Sequence, residues 1–160
     1  MLKLTGAFVL LMGVVVVCRE YAKNRKRRLS ICEEFSLLIA HLRLEIACYL
    51  KPLDEVVSAY ESPVLEESGF LPMAREVGLS EAFLSMGSSL FLSDEERGVL
   101  GRFFSSLGSG YMEDEIKLID LCAVQFSQLL EHNRTAMPND VKLYNTLFCA
   151  AALGIIIFLI

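Results

Sequence analysis

The sequence predicts an all-α protein: a cytoplasmic helical bundle flanked by an N-terminal and a C-terminal transmembrane helix. Three observations carry that expectation. Two runs without a charged side chain stand at the two ends, residues 4–18 (LTGAFVLLMGVVVVC) and 143–160 (LYNTLFCAAALGIIIFLI). Between them apolar residues recur three and four apart, the period of a helix with one buried face. The period-two alternation of a half-buried strand is nowhere sustained.

The first segment, residues 1–18, is expected to be a membrane helix. At ~1.5 Å per residue its uncharged run covers about 22 Å, and the run at 143–160 about 27 Å, against roughly 30 Å of hydrocarbon. Both are short, so flanking residues, the snorkelling stem of Arg19 and local thinning have to supply the rest. A cleaved signal peptide is the rival reading, with Lys3 as its positive start. No small-x-small cleavage site follows Val17, and the dense positive charge that comes next resists translocation.

That charge is the neck, residues 19–28 (REYAKNRKRR), with Arg19, Lys23, Arg25, Lys26, Arg27 and Arg28 in a chain of net charge −5. The positive-inside rule keeps these six side chains in the cytoplasm, where they set topology and meet lipid headgroups. The N-terminus then points outward, and a second span returns the C-terminus to the outer side. Residues 29–142 hold nineteen of the twenty acids but eight of the fifteen bases, a surplus of eleven negative charges. A basic neck therefore separates the membrane from an acidic body. No basic stripe or array of stacking aromatics accompanies the neck, which argues against nucleic acid.

The body, 29–142, is long enough for one modest domain. Cys32, Phe35, Ile39, Leu42, Ile46 and Tyr49 draw one stripe along a first long helix. Pro52 opens a short helix with Leu53, Val56, Val57 and Tyr60 on one face, and Pro63, Gly69, Pro72 and Gly78 mark turns after it. Residues 93–96 (SDEE) spell a capping box, Ser93 bonding the Glu96 amide and Glu96 reaching back. The helix it starts carries Val99, Leu100, Phe103, Phe104 and Leu107 inward and stops at Gly108. Met112, Ile116, Ile119, Ala123, Phe126 and Leu130 draw a second long stripe, an antiparallel partner for the first. Pro138 is expected to kink or break the approach to the last segment, 143–160.

Catalytic chemistry finds little support. The five cysteines, at 18, 32, 48, 122 and 149, include no CxxC pair and read as reduced, small apolar residues. His41 and His132 have no metal-ligand spacing around them. The GSG at 108–110 lacks a Walker lysine and a preceding strand, so it reads as a turn between helices. Glu113, Asp114 and Glu115 are adjacent on a helix and splay apart. The glycosylation pattern at Asn133, Arg134 and Thr135 is idle in a cytoplasmic domain. The expectation is a non-enzyme with no cofactor and no metal.

Residues 42–56 (LRLEIACYLKPLDEV), with Leu42, Glu45, Ile46, Tyr49, Pro52 and Leu53, resemble the signature of the stage III sporulation protein AB family. Residues 93–108 (SDEERGVLGRFFSSLG), ending on Gly108, resemble its middle segment, and the closing KLYNTLFCAAALGIIIFLI its final anchor. The opening MLKLTGAFVLLMG is similar too. Tyr111 and Glu115 depart from the Asp and Gln that the family usually carries there, and Pro138 from an uninterrupted charged helix.

The resemblance implies a membrane platform subunit of the channel complex between mother cell and forespore, on the mother-cell side of the outer forespore membrane. Its soluble domain would be similar to the cytoplasmic domains of type II secretion F proteins. It would work beside a secretion-type ATPase, the stage III sporulation protein AA, and other membrane subunits, with a second copy among the candidate partners. The helix from about Arg25 to Tyr49 is the element expected to couple domain and membrane. Glu45 is expected either to pair with the turn around Pro52 or to face a partner; Pro52 and Leu53 are expected to fix the turn and fill the core. A second reading is a membrane-anchored lipid sensor that uses the neck as an electrostatic switch.

Overall fold

The computed structural model describes the backbone of residues 2–108 and 110–159, and their side chains except at 2–5, 7–11, 152, 153, 156, 158 and 159. All regular structure among the described residues is helical: α1 (Leu2–Tyr49), α2 (Leu53–Ala59), α3 (Pro63–Glu67), α4 (Phe70–Val77), α5 (Leu79–Met86), α6 (Asp94–Ser106) and α7 (Met112–Leu159). The chain divides into two compact units, one of residues 1–27 with 133–160, the other of residues 28–132.

The 28–132 unit is built on a buried apolar core. Along α1 the stripe supplies Cys32, Phe35, Ile39, Leu42 and Ile46, joined by Ile31 and Leu38; α7 contributes Ile119, Cys122, Phe126 and Leu130. Four phenyl rings make its centre. Phe35 meets Phe70 edge-on at 5.0 Å between centroids, and Phe83 and Phe104 lie 5.3 Å apart beside them. Aromatic pairs at such offsets add to the stabilisation from burial alone.

Local chemistry sets the short helices. Ser62 caps α3 by accepting from the Leu65 amide, and Pro63 occupies the first turn, where its missing donor costs nothing. Gly69 and Gly78 stand at φ 83° and 90°, in the left-handed region that favours glycine, and turn the chain into α4 and α5. Pro72, expected at a turn, lies instead in the first turn of α4, where no intrahelical donor is required of it. The capping box of α6 forms as expected: Ser93 Oγ accepts from the Glu96 amide at 3.2 Å, and Glu96 Oε2 accepts from the Ser93 amide at 2.6 Å.

Three other expectations are corrected. Tyr49 is 63% exposed and Met112 45%, because each stands at the terminal turn of its helix, beyond the last core neighbour. The break expected at Pro138 is absent, since α7 runs through it, with one backbone donor missing and the proline ring against the preceding turn.

The unit of 1–27 and 133–160 pairs α1 with α7. Tyr21 and Tyr144 place their rings 4.4 Å apart, and Arg25 forms an ion pair with Asp140. Four residues forward on one helix correspond to four residues back on the other, which is antiparallel pairing. Among the described residues no helix is long and apolar enough to cross a membrane. The two runs expected to do so lie inside α1 and α7, and much of each, including the side chains of 4, 5, 7–11, 152, 153, 156, 158 and 159, falls outside the described residues. What is described there is apolar and open, with Val15, Val16, Leu147 and Ile157 all exposed.

Candidate functional site

The six basic residues of the neck separate into two kinds. Arg19, Lys23, Lys26 and Arg27 are exposed. Arg25 is held by Asp140, and its Nε donates to the Tyr21 hydroxyl at 3.2 Å. Arg28 turns into the 28–132 unit, where Nε donates to Glu96 Oε2 at 3.1 Å and Nη2 to Oε1 at 3.0 Å. Glu96 is 1% exposed. A two-pronged guanidinium–carboxylate pair is the form in which a buried charge is best compensated. Headgroup contact, expected for Arg28, gives way to this internal pair.

Electrostatics at the pair follow from its burial. Loss of water pushes the Glu96 carboxyl up; hydrogen bonds from Arg28 and the Ser93 amide, with the Arg28 charge, more than reverse this and leave it below its ordinary value. The neighbouring Cys32 thiol is pushed well up, first by burial and then by Glu96, so it stays protonated. Burial alone pushes the Cys122 thiol up to about 12. Neither is primed as a nucleophile, which requires the thiolate. Among the described residues no three His, Cys, Asp or Glu side chains gather as a metal site.

Of the 42–56 stretch, Leu53 is the residue that stands beside Gly108. Leu42 and Ile46 are buried in the core. Glu45 Oε2 stands 2.7 Å from Lys51 Nζ, an ion pair that joins the last turn of α1 to the loop before Pro52. Leu50 ends α1 in the left-handed conformation, φ 54°, and Lys51 lies over the Tyr49 ring, 5.6 Å from its centroid. Pro52 caps α2. Leu53 then reaches the loop between α6 and α7: a Cβ placed on Gly108, itself at φ 83°, would stand 3.9 Å from Leu53 Cδ2. Ser109 lies outside the described residues, so the GSG turn is described only at its two glycines.

Around this junction the surface is apolar where a loop is ordinarily polar. Tyr49, Leu50 and Tyr111 are 63%, 65% and 86% exposed. Beside it opens a groove of about 530 Å³. Leu53, Val57, Leu79, Phe104 and Leu107 line its apolar side, and Asp54, Glu76 and Glu81, with Arg75 among them, its charged and mainly acidic side. The arrangement suits contact with a protein: exposed aromatic anchors next to a carboxylate-edged cleft.

Two features escape a reading of the sequence. The use of Glu96 by Arg28 hides behind its capping-box role. Arg43 and Asp120, which join α1 to α7 at the surface of the 28–132 unit, carry no motif at all.

Neither a curated protein nor a solved structure matches this chain. The model of one family, described as stage III sporulation protein AB, matches residues 3–160, nearly the whole length. On that match, the all-helical chain belongs to the stage III sporulation protein AB family and is a sporulation-related protein.

Proposed function

We propose that this protein is a non-enzymatic platform of the sporulation channel complex, anchored by its two apolar runs in the mother cell's side of the outer forespore membrane. The 28–132 unit lies in the cytoplasm and receives a secretion-type ATPase resembling stage III sporulation protein AA, or a neighbouring membrane subunit. The junction of Leu53 and Gly108 carries this reading: it draws both motif-bearing loops together, and Tyr49, Leu50 and Tyr111, within four residues of it in sequence, are exposed. Glu45 has a structural role here, since its carboxylate is taken by Lys51.

Membrane anchoring draws support from the uncharged runs and from the open apolar side chains along them. Lipid is the medium in which such surface is stable, and the exposed bases Arg19, Lys23, Lys26 and Arg27 suit an anionic leaflet beside it. Photocrosslinking from position 49 or 111 in sporulating cells tests the docking. Capture of the ATPase or of a membrane subunit supports the reading. Crosslinks to neither, alongside efficient capture from other faces of the unit, reject it.

A further inference from the structure

The 28–132 unit carries an unusual face on the other side of α1 and α7 from its core. Leu37 and Leu44, one heptad apart and opposite Phe35 and Leu42, are 57% and 51% exposed. Leu121 and Val124, pointing away from Ile119 and Phe126, are 57% and 56% exposed. The two pairs flank Arg43 and Asp120, whose ion pair crosses from α1 to α7, with Nη2 and Oδ2 3.4 Å apart. Both charges remain about half exposed.

Charge is sparse and balanced along this face. Residues 35–44 and 118–130 contain only two formally charged side chains, Arg43 and Asp120, and these cancel. Charge returns just outside these stretches, at Glu33, Glu34 and Glu45 on α1 and at Lys117 and Glu131 on α7. Depletion of charge around large apolar side chains marks the centre of a protein interface, not a solvated face. A lipid surface would favour clustered bases or interfacial aromatics, and the face has neither.

We infer that this face is the contact between two copies of the chain, related by a two-fold axis that brings Arg43 of each copy to Asp120 of the other. A two-fold contact requires a patch complementary to itself. One positive and one negative group set side by side within an apolar field meet that requirement, because a half-turn exchanges them. Leu37, Leu44, Leu121 and Val124 then lose water together, and the acidic groove beside Leu53 takes no part. This inference is independent of the ATPase reading: pairing of copies needs no other subunit.

The test is a charge-swap complementation between copies, on the full chain in detergent or lipid nanodiscs at micromolar concentration. Oligomeric mass is read for wild type, for Arg43→Glu, for Asp120→Arg and for an equimolar mixture of the two variants. Wild type is expected to be dimeric and each variant alone at least ~tenfold weaker, a change of about 1.4 kcal/mol. In the mixture both cross-copy contacts are complementary, while each intrachain pair remains repulsive, so recovery of a mixed dimer identifies exchange between copies. A monomeric wild type, variants that dimerise as wild type does, or a mixture that stays monomeric each overturns the inference. Leu37→Ser with Leu44→Gln changes exposed positions only, and keeps the test decisive if the charge variants misfold. It is expected to be monomeric with an unaltered helical spectrum, and a dimer as stable as wild type overturns the inference.

Discussion

Arg28 grips Glu96 with two hydrogen bonds, 3.1 and 3.0 Å, across 68 residues of sequence, and the same carboxylate closes the capping box of α6. One buried side chain thus fixes the start of a helix and ties it to the first residue of the 28–132 unit. The last basic residue of the neck is in this way part of the unit's framework.

Breaking the pair from its two sides should give unequal costs. Arg28→Gln strands a carboxylate that is 1% exposed and should destabilise the unit by about 3–5 kcal/mol. Glu96→Gln keeps an acceptor for the Ser93 amide and leaves a guanidinium that retains 21% exposure, so about 1–3 kcal/mol is expected. Urea unfolding of the detergent-solubilised chain, followed by far-UV circular dichroism, measures both. Equal costs, or a larger one for Glu96→Gln, would refute this account of where the burden of burial lies.

The same pair predicts an acid response. Folding lowers the Glu96 carboxyl below its ordinary value of 4.5, so its contribution is complete above that pH and drains away as pH falls through the folded-state value. Wild type and Glu96→Gln should therefore converge in stability as pH falls through that lowered value, while at neutral pH the gap stays open. A gap that persists unchanged into acid would show that the charge of Glu96 contributes nothing.

Two residues of the 42–56 stretch separate fold from docking. Ile46 is 6% exposed in the core, and Ile46→Ala should cost about 2–5 kcal/mol. Tyr49 is open to solvent, and Tyr49→Ala should move stability by less than ~0.5 kcal/mol yet impair spore formation. Spore counts from a strain carrying Tyr49→Ala decide it; wild-type sporulation would remove Tyr49 from the docking surface.

How much of this is legible in the sequence depends on range. The capping box needs residues three apart, and the α1 stripe needs only a period, so both are written locally and both form. Arg28 with Glu96, Arg43 with Asp120, and Leu53 beside Gly108 are pairings across 55 residues or more, which periodicity cannot report. Periodicity also has no end marker, which is why Tyr49 and Met112 fall in register with stripes whose buried part stops just short of them. Pro138 misleads differently: a proline forbids one hydrogen bond, and a helix of 48 residues continues past that loss.

Pro138 offers a test of that continuity. Pro138→Ala supplies a backbone donor at position 138 and removes the clash of the ring with the preceding turn of α7. The proline penalty in a helix interior is ~3 kcal/mol, part of which the surrounding pairing already offsets. Slower amide exchange is therefore expected across residues 135–141 in the variant, measured by mass spectrometry. Exchange as fast as in wild type would mean that α7 is open at this point.

If α1 transmits displacement between the apolar run and the 28–132 unit, its rigidity should matter more than its length. A short run of glycines inserted between Arg27 and Arg28 leaves the Arg28–Glu96 pair intact on the far side of the insertion. Glycine disfavours helix by about 1 kcal/mol per residue, so the inserted stretch becomes a flexible joint. An alanine-rich heptad at the same place lengthens the helix by about 10 Å but drifts its facing by only ~20°. Both variants should unfold as wild type does, and sporulation should fail with glycine and survive at least in part with the heptad. Failure of both would assign the requirement to length or spacing, and success of both would leave α1 as a tether that transmits nothing.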